Sequence, residues 1–269
     1  MTETIQRDEI VSPRADETIS SLCTVSPYVF EEPLREGVIL GRPNRFIMEV
    51  ELDGERARCH CPVVSRIGGI DTTGRPCLVS RSDNPRRKFS RTVEAFSWQE
   101  PGDAEKRWVG INQTASNRYV AHFLEQGALA GLAPGPGELR REVRFGESRL
   151  DFAIADECFI EVKTPLAQLE CDIPPFVPRL DVAPFSSTGR ALRHLRELAD
   201  SLAGHQRAVV LYCLYYENHG FRFLRGTTFD EVERAVTAVQ EAGVELWQCT
   251  FGQDAHEVRL VDCRPLEDW

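Results

Sequence analysis

Hydrophobic and polar positions along the chain follow two different grammars. Between Gly37 and Ile111 the apolar residues come in short runs at 37–40, 45–52, 56–61, 77–81, 91–97 and 108–111, separated by Gly, Pro, Asp, Asn and Ser. Runs of this length with turn residues between them predict strands. Asp53-Gly54, between the second and third runs, is a hairpin signal, because both residues tolerate the left-handed backbone that a two-residue turn needs. Five or six short strands in one stretch of chain predict a small barrel or sandwich, and an OB-like β-barrel is the favoured arrangement.

After Asn112 the period changes. Tyr119, Val120, Phe123, Leu124 and Ala128 recur at helical spacing behind Ser116 and Asn117, either of which can cap a helix, so a helix is predicted over 117–131. Strands are predicted at 140–145, 149–155 and 158–163, followed by a Pro-rich irregular passage over 165–184. A helix over 189–203 presents Leu192, Leu195, Ala199 and Leu202. The uncharged run 208–216 reads as a strand buried on both faces. Thr228 with Glu231 forms a capping box for a third helix with Val232, Ala235, Val236 and Val239 on its apolar face and Gly243 as its stop. A last strand is expected over 244–251. This order of elements combines an antiparallel meander with crossover helices and predicts an α/β domain with a mixed sheet. The chain therefore divides into an acidic, mobile extension over 1–30, with a short docked segment near 23–28, a barrel over 31–115 and an α/β domain over 116–269.

The chemistry concentrates in the stretch from Arg149 to Lys163. Side chains alternate along a strand, so Glu161 and Lys163 share one face while Ile160 and Val162 occupy the other. If the hairpin before this strand has an odd-numbered loop centred on Asp156, Asp151 lies opposite Glu161 on the same face. An even loop without a bulge would put it on the other side. Two opposed carboxylates repel unless a cation sits between them, and the hard cations Mg²⁺ or Mn²⁺ are the natural occupants. Lys163 could then orient a water or stabilise developing negative charge as a phosphodiester is attacked. A two-residue turn at Gly146-Glu147 would bring Glu142 opposite Asp151 as a third metal-binding carboxylate. On spacing alone, a solvated strand face with cross-strand ion pairs is the commoner origin of such a pattern.

Composition narrows the field. The 269 residues include 32 Lys and Arg against 42 Asp and Glu, a net charge of −10, which argues against a protein that coats nucleic acid by bulk charge. The basic residues are nevertheless clustered: Arg81, Arg86, Arg87, Lys88 and Arg91 in the barrel, Arg140, Arg141, Arg144 and Arg149 on the first strands of the second domain, and Arg190, Arg193 and His194 on its second helix. Such clusters beside two carboxylates suit phosphate neutralisation, although basic runs also occur as plain solvated surface. Nine cysteines, several inside apolar runs, suggest a reducing, cytoplasmic setting. No segment approaches the roughly 18 uninterrupted apolar residues of a membrane helix, and the charged first thirty residues lack the apolar core of a secretory signal. Cys59-His60-Cys61 with Cys77 lacks ordinary zinc-ligand spacing. No Walker loop, dinucleotide fingerprint or nucleophile elbow is found.

The blocks Arg42-Pro-Asn-Arg-Phe46, His60-Cys-Pro62, Leu78-Val-Ser-Arg-Ser-Asp-Asn-Pro-Arg-Arg-Lys88, Trp108-Val-Gly-Ile-Asn112, Arg141-Glu-Val-Arg-Phe-Gly146, Ser148-Arg-Leu-Asp-Phe152, Ile160-Glu-Val-Lys163 and His194-Leu-Arg-Glu-Leu198 together resemble the sugar fermentation stimulation protein A family. The resemblance spans about residues 33 to 260. It implies an N-terminal OB-like barrel, a C-terminal PD-(D/E)XK nuclease-like domain, and binding and cleavage of DNA or RNA. Asp151 and Glu161 would be metal-binding carboxylates and Lys163 the catalytic lysine. Departures from the family pattern are Val63-Val64-Ser65 after His60-Cys-Pro62, Thr164 after Lys163, and Ala183-Pro-Phe-Ser186 before the second helix. The resulting expectation is a divalent-metal-dependent nuclease. The alternative is a non-catalytic DNA-binding regulator or accessory protein of sugar metabolism genes that uses the same basic cleft. Oligomeric state is left open, a homodimer included.

Overall fold

The computed structural model describes residues 25–129, 131–132, 138–146, 148–155, 157–180, 189–204, 207–222 and 229–266. The chain first pairs through a short strand, β1 (Tyr28–Val29), which is inside the stretch expected to be a mobile extension; residues 1–24 lie outside the described residues. It then builds a barrel from β2 (Arg35–Asn44), β3 (Ile47–Leu52), β4 (Glu55–His60), β5 (Pro76–Arg81) and β6 (Arg91–Ser97), with β7 (Trp108–Gly110) added beside β6. The sheet runs β4-β3-β2-β5-β6 and closes through a parallel bridge between His60 and Thr92. Closure removes the exposed edges that short antiparallel strands would otherwise leave. Asp53 (φ 52°) and Gly54 (φ 80°) form the predicted two-residue turn between the paired Leu52 and Glu55.

The second domain begins with α1 (Ser116–Glu125), followed by β8 (Leu139–Phe145), β9 (Ser148–Ile154), β10 (Cys158–Lys163), α2 (Gly189–Ser201), β11 (Arg207–Leu214), α3 (Phe229–Glu241), β12 (Glu245–Gln253) and β13 (Glu257–Pro265). Its seven-stranded sheet has the order β1-β13-β12-β11-β10-β9-β8. β10, β11 and β12 are parallel and are connected through α2 and α3, while the remaining neighbours are antiparallel. This is the expected mixed sheet with crossover helices. β11 is buried from Ala208 to Leu214, as a central parallel strand covered on both faces requires.

Two differences from the sequence expectations have local causes, and one expectation is not reached by the described residues. α1 stops at Glu125 rather than 131, because the chain turns at Gly127 with φ 67° and its amide bonds back to the Leu124 carbonyl. β13 is a strand that the hydrophobic pattern does not announce: Val258 is its one buried residue, charged residues recur along the rest, and β1 covers it only at Glu257 and Val258. The capping box at Thr228 lies outside the described residues.

One core is continuous between the domains. Barrel residues Ile39, Met48, Val93 and Phe96 belong to the same buried cluster as Phe159, Val210, Leu214, Leu195 and Val236. The opposite sheet face packs Phe152, Ile160, Leu211 and Phe251 against Tyr119, Val120 and Phe123 of α1. Backbone bonds from Gly110 to the Tyr215 carbonyl (2.8 Å) and from Gly68 to the Leu166 carbonyl (2.8 Å) cross the seam. No helix among the described residues is long and apolar enough to cross a membrane.

Candidate active site

The β9–β10 hairpin pairs Ile154 with Cys158, leaving the odd loop 155–157 between them, with Ala155 in the left-handed region at φ 50°. Its predicted centre, Asp156, lies outside the described residues. Pairing continues to Phe152 and Ile160 and would next bring Asp151 opposite Glu161. At that point the ladder is interrupted. The amide of Val162 is taken by Asp151 Oδ2 at 2.8 Å, and Asp151 Oδ1 accepts Asn117 Nδ2 at 2.6 Å.

Strict alternation also breaks there, because Leu150 joins the core shared with the barrel while Phe152 joins the core under α1. The facing residue on β8 is Glu142, with φ 51°. It occupies the predicted register position, but its carboxylate is exposed and pairs with Arg149 at 3.4 Å, so the structure does not gather it with the other two carboxylates. The reason is the local kink: a left-handed residue in a strand turns its side chain out of the pleat.

Glu161 is 3% exposed. Its Oε1 receives Lys163 Nζ at 2.5 Å and lies 2.6 Å from His194 Nδ1 of α2. Its Oε2 is buried without a hydrogen-bond partner among the described residues. An unsatisfied buried carboxylate oxygen is costly and marks a place for a cation or donor. The Asp151 carboxyl is pushed up from its ordinary value by burial, then by the charge of Glu161. The Val162 amide, the Asn117 side chain and Lys163 oppose this only in part.

Among the described residues, no group of three or more His, Cys, Asp or Glu forms a ready-made metal cage. Two carboxylates with one oxygen left over instead fit a small hard cation that keeps water and takes further ligands from a bound phosphate.

The sequence offers Ser116 and Asn117 as caps of α1. Neither acts as one: the cap position is Ala115 with no side-chain bond, and Asn112 Oδ1 accepts the amides of Thr114 and Ala115 instead. This frees Ser116 Oγ to meet Thr164 Oγ1 at 2.6 Å and Asn117 to hold Asp151. Gln113 bridges the domains, accepting from the Val64 amide (3.1 Å) and donating to the Thr164 carbonyl (2.7 Å). The one hint of these roles in the sequence is a surplus of polar residues at the helix start.

The basic residues are distributed unevenly. His194, expected to contact nucleic acid, lies in contact with Glu161. Arg81 pairs with Asp83 at 3.4 Å and Arg141 with Glu125 at 2.9 Å, while Arg87 donates to Thr92 Oγ1 at 3.1 Å. Arg86, Lys88 and Arg144 are exposed, and Arg91 is half-buried. The Arg190 side chain and the segment 183–186 lie outside the described residues.

Family models match both domains: one described as the SfsA N-terminal OB domain over residues 40–111, and one described as the sugar fermentation stimulation protein RE domain over 114–257. The chain belongs to the sugar fermentation stimulation protein family. Relatives named sugar fermentation stimulation protein homolog include one from Methylobacterium radiotolerans, 34% identical over 86% of this chain and 98% of the relative. Another, from Synechococcus elongatus, is 35% identical over 87% of this chain and 96% of the relative. The family fold is also present in a solved structure of Pyrococcus furiosus SfsA in complex with Ca²⁺, with a TM-score of 0.65 at 19% identity over 89% of this chain and 96% of that one.

Proposed function

We propose that this chain is a divalent-metal-dependent nuclease that hydrolyses phosphodiester bonds in DNA or RNA, in a reducing cytoplasm. The observation that carries the reading is Glu161: a buried carboxylate with one oxygen unpaired among the described residues, close enough to Asp151 for its charge to raise that carboxyl, with Lys163 bonded to its other oxygen. Asp151 and Glu161 would hold Mg²⁺ or Mn²⁺, which when bound supplies Lewis-acid stabilisation of a phosphoryl oxygen and a more acidic water. Asn117 and the Val162 amide fix the Asp151 carboxylate. His194 fixes Glu161 from α2. Lys163, partly exposed beside Glu161, holds positive charge where an attacking water and the developing phosphorane oxygens would be. The complex of Pyrococcus furiosus SfsA with Ca²⁺ supports a divalent cation in this fold. The barrel, matched as an OB domain, supports nucleic acid as the substrate.

The test is incubation of purified protein with single- and double-stranded DNA and RNA in Mn²⁺, Mg²⁺ or EDTA. Metal-dependent cleavage is expected, with Asp151→Ala and Lys163→Ala each reducing it by about 100-fold or more. Cleavage that survives either substitution would overturn the assignment. Tight binding without cleavage in any metal would select the non-catalytic regulator instead.

A further inference from the structure

Two segments of the barrel each carry an aromatic ring beside a cation. The Arg45 guanidinium lies 4.7 Å from the centre of the Phe46 ring, and the Lys88 ammonium 5.7 Å from that of Phe89. Strand register puts both at one end of the barrel: Ile47 pairs with His60, and His60 bridges to Thr92. Phe46 immediately precedes β3, and the loop 82–90, closed by the Ser82 amide on the Ser90 carbonyl (2.8 Å), immediately precedes β6.

The rim is built rather than loose. Asn44 Oδ1 accepts the Phe46 amide at 2.9 Å, and the Phe46 carbonyl accepts the Cys61 amide at 2.9 Å. Arg42 Nη2 donates to the carbonyls of Arg45, Val63 and Ser65 at 2.7, 2.9 and 3.1 Å, tying the β2–β3 tip to the turn after β4. On this scaffold Phe46 remains 43% exposed and Val64 65% exposed. Hydrogen-bonded backbone therefore holds Phe46 and Val64 at fixed positions on the rim, where one partner can cover both. The same rim runs toward the carboxylate site through Val64, Gln113 and Thr164, the residue after Lys163.

We propose that this rim is a stacking platform for unpaired nucleobases, which makes a single strand the substrate of the site; the second clause rests on the nuclease reading above. Rings with adjacent cations match a single strand, whose bases offer π faces and whose phosphates offer charge. A duplex keeps its base faces stacked inside and offers only phosphates and groove edges, so it gives Phe46 no π face to stack on.

The experiment is fluorescence anisotropy on the full chain in EDTA, with labelled oligothymidylate, oligouridylate and a DNA duplex. At least one single strand binds more tightly than the duplex. Phe46→Ala weakens that single strand about 10-fold and leaves the duplex unchanged. Phe46→Leu, which keeps bulk without a π face, behaves like Phe46→Ala, while Phe46→Trp binds like the parent. The thymidylate and uridylate arms identify the strand as DNA or RNA. Equal losses on single strand and duplex, parental binding by Phe46→Leu, or no effect of any Phe46 substitution overturns the proposal. Because EDTA separates binding from hydrolysis, a protein that never cleaves yet shows Phe46-dependent strand preference overturns only the hydrolytic reading. A metal-dependent cleaver indifferent to Phe46 overturns only the platform.

Discussion

His194 Nδ1 lies 2.6 Å from Glu161 Oε1, so a residue on α2 fixes a carboxylate on β10. Lys163 shares the same oxygen at 2.5 Å, and this leaves Oε2 as the acceptor available to a cation. His194→Ala removes one of two anchors without touching a proposed metal-binding atom. Apparent Mn²⁺ affinity or metal-dependent cleavage is expected to fall about 10- to 100-fold. His194→Gln, which can still donate, should recover part of that loss. Titrating Mn²⁺ against cleavage rate checks it, and an unchanged titration curve would remove His194 from the site.

Divalent metal should also register in stability. A cation bound by the folded chain alone stabilises it by about 2.7 kcal/mol at one hundred times its Kd. For a chain of this size each kcal/mol moves Tm by about 2 to 4 °C. Thermal unfolding in Mn²⁺ against EDTA is therefore expected to show a rise of several degrees in the parent and none in Asp151→Ala or Glu161→Ala. An equal rise in all three would place the metal elsewhere.

Glu94 is buried in the barrel wall, 3% exposed, with Ser80 Oγ at 2.5 Å and Asn112 Nδ2 at 2.6 Å donating to its carboxylate. Burial pushes its carboxyl up, and the two hydrogen bonds with the Arg118 and Arg87 charges only partly offset it. The folded state then holds this proton more tightly than the unfolded chain does. Its contribution to stability is lost as pH rises from the ordinary carboxyl value through the raised one. Glu94→Gln removes that titration and can keep both contacts if the Ser80 hydroxyl turns to accept. The stability of Glu94→Gln relative to the parent should accordingly increase with pH across this window. Denaturant unfolding on either side of it checks the sign.

Gly110 sits where the barrel meets the second domain. A β-carbon there would lie 2.5 Å from Tyr215 Cβ and 2.6 Å from Gln253 Oε1, beside the bond from the Gly110 amide to the Tyr215 carbonyl. Gly110→Ala is expected to cost about 1 to 3 kcal/mol through overpacking, read as a lower denaturation midpoint. A change below about 0.5 kcal/mol, the ordinary range for surface substitutions, would mean that the seam yields.

Periodicity and turn chemistry are sufficient for most of the architecture. Asp53-Gly54 can make few turns other than a tight hairpin, and an uncharged run such as 208–216 is stable only where both faces are covered. The alignment of Asp151 with Glu161 is legible as a conditional, because strand alternation makes it depend on whether one loop is odd or even.

What pattern does not supply is long-range. Asn117 looks like a helix cap and acts on Asp151, because Asn112 already holds the amides at the start of α1. Glu142 has the right register and points away, because its backbone is left-handed. His194 has the residue type of a phosphate ligand and contacts a carboxylate, because α2 packs against β10. Local spacing fixes which face of an element a side chain occupies. Which partner it finds there depends on packing between elements far apart in the chain, and for that reason the candidate ligands are visible in the sequence while the residues that hold them in place emerge only with the fold.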